Sequence, residues 1–159
     1  MKIWKAVAFV ASVLLALPAL AQDAAGANSN MDILIQKVKA DKKLLVAANM
    51  DLTDAEGKGF WPLYESYQKE LEQLNQRLGK AITEYADAYN KGPIPDETAK
   101  KLMNEVLSIE EAEVKTKRAY ADKIGKVLSA AQTARYIQIE TKIRSVLKVQ
   151  LANQIPLIF

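Results

Sequence analysis

Apolar residues recur every three or four positions along most of this chain, which is the spacing of an amphipathic α-helix. The longest series contains Phe60, Tyr64, Tyr67, Leu71, Leu74, Leu78, Ile82, Tyr85 and Tyr89. At 1.5 Å per residue, a helix from Asp54 to Tyr89 would reach about 54 Å. The pattern therefore predicts a long helix at about 54–90 that forms the seam of a coiled coil or helical hairpin.

Three further segments have the same periodicity. A short helix is predicted at 31–50, with Ile33, Leu34, Val38, Leu44, Leu45 and Ala48 on its apolar face. A second long helix is predicted at about 97–127, with Leu102, Met103, Val106, Leu107, Val114, Tyr120, Ala121, Ile124, Val127 and Leu128 turned inward. A C-terminal helix is predicted at about 130–154, with Tyr136, Ile139, Ile143, Val146, Leu147 and Leu151 on one face. These segments predict an all-α protein.

The break between the two long helices indicates their arrangement. Residues 90–96 read NKGPIPD, in which glycine and proline end one helix and Asp96 is placed to cap the next. Two long helices joined by so short a turn run antiparallel. Each helix of such a hairpin buries only one stripe, so the prediction is an elongated antiparallel hairpin that pairs into a homodimer.

The N-terminus has the pattern of a secretory signal peptide. Lys2 and Lys5 precede an uncharged apolar run, and the triplet Ala19–Ala21 offers a small-residue cleavage site. The apolar run spans only 12 residues, from Ala6 to Leu17, which is too short to cross a bilayer. We expect a signal peptide at 1–21, a flexible arm at 22–30, a single helical domain at 31–159, and export to the periplasm of a Gram-negative bacterium.

Charge and residue types exclude several classes of function. The chain contains 22 Lys and Arg, 19 Asp and Glu, no His and no Cys. Loss of Lys2 and Lys5 with the signal peptide lowers the formal net charge from +3 to +1, which does not favour nucleic-acid binding. Neither a disulfide nor a thiolate site can form, and His and Cys, which are common in acid–base and nucleophilic catalysis, are missing. We therefore predict that the protein is no enzyme and carries no cofactor.

A metal-responsive sensor is a less favoured alternative. Zinc, nickel and copper prefer nitrogen and sulfur donors, whereas this chain offers only Met31, Met50 and Met103 beyond the signal segment. No metal site is predicted, and weak binding of calcium or magnesium by carboxylates stays open.

Two short segments of the chain repeat one motif. LTDAE contains Leu52, Thr53 and Glu56, and LSAAQ contains Leu128, Ser129 and Gln132. In each, the hydroxyl can accept a hydrogen bond from the backbone three residues later, while the Glu or Gln side chain reaches back to the backbone of the Thr or Ser. Both motifs therefore predict capping boxes at helix starts, which alone are weak indicators of function.

The two motifs, together with the other features of the chain, resemble the Spy/CpxP family of bacterial periplasmic stress proteins, whose signature is an LTXXQ motif that occurs twice. The first copy has Glu in place of Gln and the second has Ser in place of Thr. The resemblance covers about 31–155 and implies a bent helical hairpin that dimerises into a cradle. It also implies ATP-independent chaperone activity toward unfolding envelope proteins, or stress sensing through a membrane kinase. FWPLYESYQKEL at 60–71 and the ending of the chain resemble a secreted subgroup without an assigned role.

A surface that holds unfolded proteins needs exposed apolar groups beside charge. The candidate client-binding residues are Trp61, Tyr64, Tyr67, Lys115, Lys117, Arg118 and Lys123. The alternative interpretation places the aromatic residues in the hairpin or dimer seam and the charged residues on a solvated face with pairs such as Glu111 and Lys115. The predicted function is a periplasmic holdase or stress protein, and the alternative is an adaptor or sensor subunit with one protein partner.

Overall fold

The computed structural model describes residues 40–158, and over that range the chain is α-helical with no strand. Helix α1 is described from residue 40 to residue 50, α2 is Asp54–Tyr89, α3 is Asp96–Ile124 and α4 is Ala130–Gln154. The all-α prediction is confirmed for this range. The predicted signal peptide, the predicted arm and residues 31–39 of the predicted first helix lie outside the described residues.

The chain divides into two compact units. One comprises the described part of Met1–Leu52 together with Gln138–Gln154, and the other comprises Thr53–Ile137 with the residues that follow Gln154. Helix α4 contributes its first two turns to the second unit and the rest to the first. The single domain predicted for 31–159 stays a prediction.

Side-chain hydrogen bonds join α2 to α3 along both helices. They connect Tyr120 to Glu70 at 2.7 Å, Arg77 to Glu105 at 2.9 and 3.0 Å, and Lys101 to Glu84 at 2.5 Å. Residues later in α2 therefore bond to residues earlier in α3. The bond from Arg77 uses two guanidinium nitrogens and both carboxylate oxygens, a geometry that fixes the two side chains relative to each other.

The buried face of α3 is narrower than the apolar pattern predicted. Its buried residues are Leu102, Ile109, Glu113, Tyr120 and Ile124. Met103, Leu107 and Val114 were predicted to turn inward but are 56%, 50% and 61% exposed. Met103 and Val114 each directly follow a buried residue, so they lie 100° around the helix from it, and Leu107 also lies well around the helix from the buried face. The part of α3 that faces the core therefore does not include these three residues.

The helix boundaries depart from the prediction around α3. Pro95 stands at the N-cap of α3 and Asp96 is its first residue, so the prediction that Asp96 caps this helix is wrong. The carboxylate of Asp96 instead lies in the first turn, where the helix dipole favours negative charge. The helix ends at Ile124, earlier than predicted, with Gly125 as its C-cap.

In the unit that contains α1, the buried side chains differ from those predicted. Val46 and Met50 are fully buried, whereas Leu44 is exposed. The same unit contains a buried carboxylate, because Glu140 of α4 is only 4% exposed. The ammonium of Lys42 in α1 donates to Glu140 Oε2 at 2.9 Å, so an ion pair compensates the charge of this buried carboxylate.

Candidate functional site

The first LTXXQ-like motif forms a complete capping box at the start of α2. The backbone N–H of Glu56 donates to Thr53 Oγ1 at 3.3 Å, and the backbone N–H of Thr53 donates to Glu56 Oε2 at 2.8 Å. The Thr53 hydroxyl donates to the same carboxylate oxygen at 2.9 Å. Leu52, which precedes the cap, is half-buried.

The second motif repeats this geometry at the start of α4. The backbone N–H of Gln132 donates to Ser129 Oγ at 3.2 Å, and the backbone N–H of Ser129 donates to Gln132 Oε1 at 3.0 Å. The Ser129 hydroxyl also donates to Gln132 Oε1, at 2.8 Å. Leu128 is buried. The Thr-to-Ser and Gln-to-Glu differences between the two copies therefore preserve the capping chemistry.

A direct hydrogen bond links the two boxes. Gln132 Nε2 donates to Glu56 Oε1 at 3.0 Å, although 76 positions separate the two residues in sequence. The side chains of Glu56 and Gln132 thus each cap their own helix with one terminal atom and contact the other box with the second terminal atom. The N-terminal ends of α2 and α4 are held together by the very residues that start them.

This arrangement concentrates hydrogen-bond donors on one carboxylate. The backbone N–H of Thr53, the amide of Gln132 and the hydroxyl of Thr53 lower the pKa of Glu56, in that order of effect. All three donate to the ionised form and therefore favour it. The charged carboxylate is the form that completes both the cap and the link between the boxes.

Removal of either capping hydroxyl is expected to destabilise the fold modestly. Thr53→Ala and Ser129→Ala should each lower the free energy of unfolding by about 1 kcal/mol, because each leaves a helix N–H without its acceptor. Urea denaturation followed by circular dichroism measures both values. Binding of a protein client should survive in both variants, so loss of binding at unchanged stability would show that the motif does more than cap.

Acidification should weaken the linked boxes through Glu56. Its pKa is lower in the folded chain than its ordinary value of 4.5, so its contribution is present above that value and is lost as pH falls through the folded pKa. Glu56→Gln should therefore lose less stability than the natural protein between neutral pH and about pH 3. Denaturation curves at several pH values test this, and identical pH profiles for the two proteins would contradict it.

Next to the first capping box, aromatic rings fill the interior between α2 and α4. Tyr136 is fully buried, and its ring centroid lies 5.0 Å from that of Phe60 in an edge-to-face arrangement. The centroids of Tyr64 and Tyr67 both lie 6.2 Å from that of Tyr136. Trp61 is half-buried against Phe60 and Tyr64, at 5.0 and 5.4 Å between centroids.

The burial of these rings bears on two of the aromatic candidates. Tyr64 and Tyr67 are buried core residues, 3% and 1% exposed, which favours a packing role for both rings. The indole of Trp61 is the remaining candidate with partial exposure.

The four basic candidates lie along the second half of α3. Lys115, Arg118 and Lys123 are exposed and Lys117 is half-buried. Lys123 is already engaged within the chain, because its ammonium lies 4.1 Å from the centroid of the Tyr120 ring. Burial and the hydrogen bond to Glu70 raise the pKa of Tyr120 to about 12, so this ring stays a neutral phenol over the ordinary pH range.

The structure adds apolar members to this region that were predicted to lie in the core. Met103, Leu107 and Val114 are at least half exposed, and they lie on the same side of α3. We call this surface, made of Met103, Leu107, Val114 and Ala121 with the flanking residues Glu110, Glu111, Lys117 and Arg118, the outer face of α3. In the sequence, this surface was indicated only by the width of the apolar stripe, which covers more of the helix than the side that faces the core.

Comparisons with known proteins add no family to this picture. No protein-family model, no curated protein and no solved structure matches the chain. The resemblance to the Spy/CpxP family therefore rests on the two motifs and the helical pattern alone. No helix within residues 40–158 is long and apolar enough to cross a membrane. In the same range, no three acidic, His or Cys residues are grouped so that they could hold a metal ion.

Proposed function

We propose that this protein is an exported, ATP-independent chaperone-like protein that holds unfolding proteins of the bacterial periplasm on a helical face. The observation that carries the proposal is the outer face of α3, where Met103, Leu107 and Val114 are at least half exposed between charged residues. Such a surface binds unfolded segments through apolar contact, while the charges keep the interaction loose and reversible. Release from it needs no nucleotide.

The rest of the described chain supports this role as a scaffold. The antiparallel hairpin that we propose for α2 and α3 is supported by the order of the bonds between them, from Glu70 with Tyr120 to Glu84 with Lys101. The aromatic cluster and the linked capping boxes fix the helix ends. A firm scaffold lets the outer face of α3 stay exposed without collapse of the fold.

The same surface suits a second role, an adaptor or sensor subunit with one dedicated protein partner. Both roles use an exposed helical face, and they differ in the range of proteins that they bind. A chaperone protects unrelated unfolding proteins, whereas an adaptor recognises one. Client range is therefore the property to measure.

Aggregation of two unrelated unfolding proteins, followed by light scattering without nucleotide, tests the proposal. The chain beginning at Gln22 should suppress aggregation of both at near-stoichiometric amounts. Leu107→Ser with Val114→Ser should weaken suppression at least threefold, because it removes apolar contact from the outer face. The matched control is Leu44→Ser with Val149→Ser, which changes two exposed apolar residues of the other unit.

The outcomes separate the candidate functions. Suppression of both clients that is lost only in the variant of the outer face supports a holdase. Suppression of neither client would overturn the holdase and favour a single partner. Equal losses in both variants would show that exposed apolar residues act without regard to their place on the chain.

A further inference from the structure

The residues that follow helix α4 group with α2 and α3. Helix α4 ends at Gln154, and Pro156 does not continue it, because the proline ring removes the backbone N–H and clashes with the preceding turn. The second part of α4, Gln138–Gln154, belongs to the unit that contains α1, whereas the residues after it belong to the unit of Thr53–Ile137. We call residues 155–158 the tail.

A hydrogen bond attaches the tail to α2. The phenol of Tyr85 donates to the carbonyl oxygen of Pro156 at 2.7 Å, across 71 positions of the sequence. Since proline has no N–H, this carbonyl is the only hydrogen-bonding group in the backbone of Pro156, and the α2 phenol donates to it. The bond is exposed, so water can replace either partner when it breaks. Its opening therefore leaves no buried polar group unsatisfied.

The apolar side chains of the tail gain little from this attachment. Leu157 is 89% exposed and Ile158 is 55% exposed, so burial does not hold this end of the tail in place. Ile155, at the start of the tail, is half-buried. Tyr85 and Tyr89 are half-buried at the end of α2, with 5.9 Å between their ring centroids. The attachment thus depends on an exposed hydrogen bond and on the partial burial of Ile155.

From these contacts we propose that the tail is a strap, which closes on the C-terminal end of α2 through Tyr85 and opens without unfolding the helices. The structure has the closed form, in which Ile155 and the ring of Tyr85 are half-buried. In the open form, Ile155 and the rings of Tyr85 and Tyr89 provide an additional apolar surface at the end of α2.

The strap gives the protein a way to adjust its apolar surface, a consequence that rests on the proposed function. An open strap adds apolar area to the unit that contains the outer face of α3. A client that binds the open form more tightly shifts the strap toward that form, whereas a client without this preference leaves it closed. The opening itself needs no client.

Thiol labelling measures the opening directly, because the chain contains no Cys of its own. In Ile155→Cys, the thiol should react more slowly than in Leu157→Cys, since position 155 is half-buried and position 157 is exposed. Addition of Tyr85→Phe removes the anchoring hydroxyl and should raise the labelling rate of Ile155→Cys about threefold. The rate of Leu157→Cys should stay the same in both backgrounds.

Tyr89→Phe is the matched control, because it removes a hydroxyl from the same end of α2 and leaves the bond between Tyr85 and Pro156 in place. It should not change the labelling of Ile155→Cys. Equal rates with and without Tyr85→Phe, or the same rise with Tyr89→Phe, would overturn the strap. Circular dichroism should show full helix content in Tyr85→Phe, and loss of helix would also overturn it.

The aggregation assay tests the use of the strap separately. Tyr85→Phe should suppress aggregation at about half the amount of protein that the natural chain needs, because its open form is more populated. Faster labelling with unchanged suppression would overturn the role of the strap in client binding. If the natural chain suppresses no aggregation, the proposed function fails, while the labelling rates still decide whether the strap opens.

Discussion

Replacement of Tyr136 by alanine is expected to lower the free energy of unfolding by about 4 kcal/mol. The ring is fully buried and contacts Phe60, Tyr64 and Tyr67 with edge-to-face geometry. Its removal takes a large apolar surface out of the core and leaves a cavity that three fixed aromatic rings cannot refill. Since domains of this size are stable by only about 5–15 kcal/mol, the variant should be partly unfolded well below the melting temperature of the natural protein.

Tyr136→Phe is the matched control for this prediction. It keeps the ring and removes only the hydroxyl, which accepts a 3.4 Å hydrogen bond from Gln68 Nε2. The expected loss is about 1 kcal/mol or less. Urea denaturation followed by circular dichroism measures both variants. Equal losses for the two would show that the hydroxyl, and not ring packing, holds this part of the core.

The helices themselves could be predicted from the sequence because their starts and stops are local. The capping boxes at Thr53 and Ser129 and the turn at 90–96 act over three to seven residues, and α2 and α4 begin where the boxes predict. The periodicity of α2 also identified Phe60, Tyr64 and Tyr67 as members of one face, and all three are buried. Capping motifs and helical periodicity were therefore enough to predict the helix starts and the buried aromatic face of α2.

The contacts between distant segments could not be predicted in the same way. The bond from Gln132 to Glu56 requires that two helix starts meet in space, which neither motif encodes alone. Glu113 and Glu140 are buried carboxylates, and burial of a charge depends on partners that only the tertiary fold supplies. The exposure of Val114 was likewise hidden, because an apolar stripe does not state which neighbour covers it.

The two long helices therefore place their apolar residues differently, α2 in the core and α3 partly on the surface. Helix α2 buries Phe60, Tyr64 and Tyr67 in the cluster with Tyr136, whereas its other aromatic residues, Trp61, Tyr85 and Tyr89, are half-buried. Helix α3 keeps apolar side chains on its outer face beside charges of both signs. An interior built by aromatic residues allows the outer face to be changed without loss of the fold, so the stability and binding experiments report on different parts of the chain.

Removal of the ammonium at position 42 is expected to have the second large effect on stability. The carboxylate of Glu140 is 4% exposed and accepts a 2.9 Å hydrogen bond from Lys42, whose side chain is 17% exposed. Loss of one member of a buried ion pair costs roughly 3–5 kcal/mol, because the remaining buried charge is less well compensated. Since Lys42 keeps some contact with water, we expect Lys42→Met to lower the free energy of unfolding by about 2 kcal/mol.

A double-mutant cycle separates the loss of the pair from the loss of packing. Glu140→Gln keeps the size of the side chain and removes its charge, so Lys42→Met combined with Glu140→Gln should be more stable than Lys42→Met alone. Recovery of stability in the double variant would show that the buried charge of Glu140 causes the loss. Strictly additive effects would instead mean that Lys42 stabilises α1 through its aliphatic chain and that Glu140 tolerates burial without it.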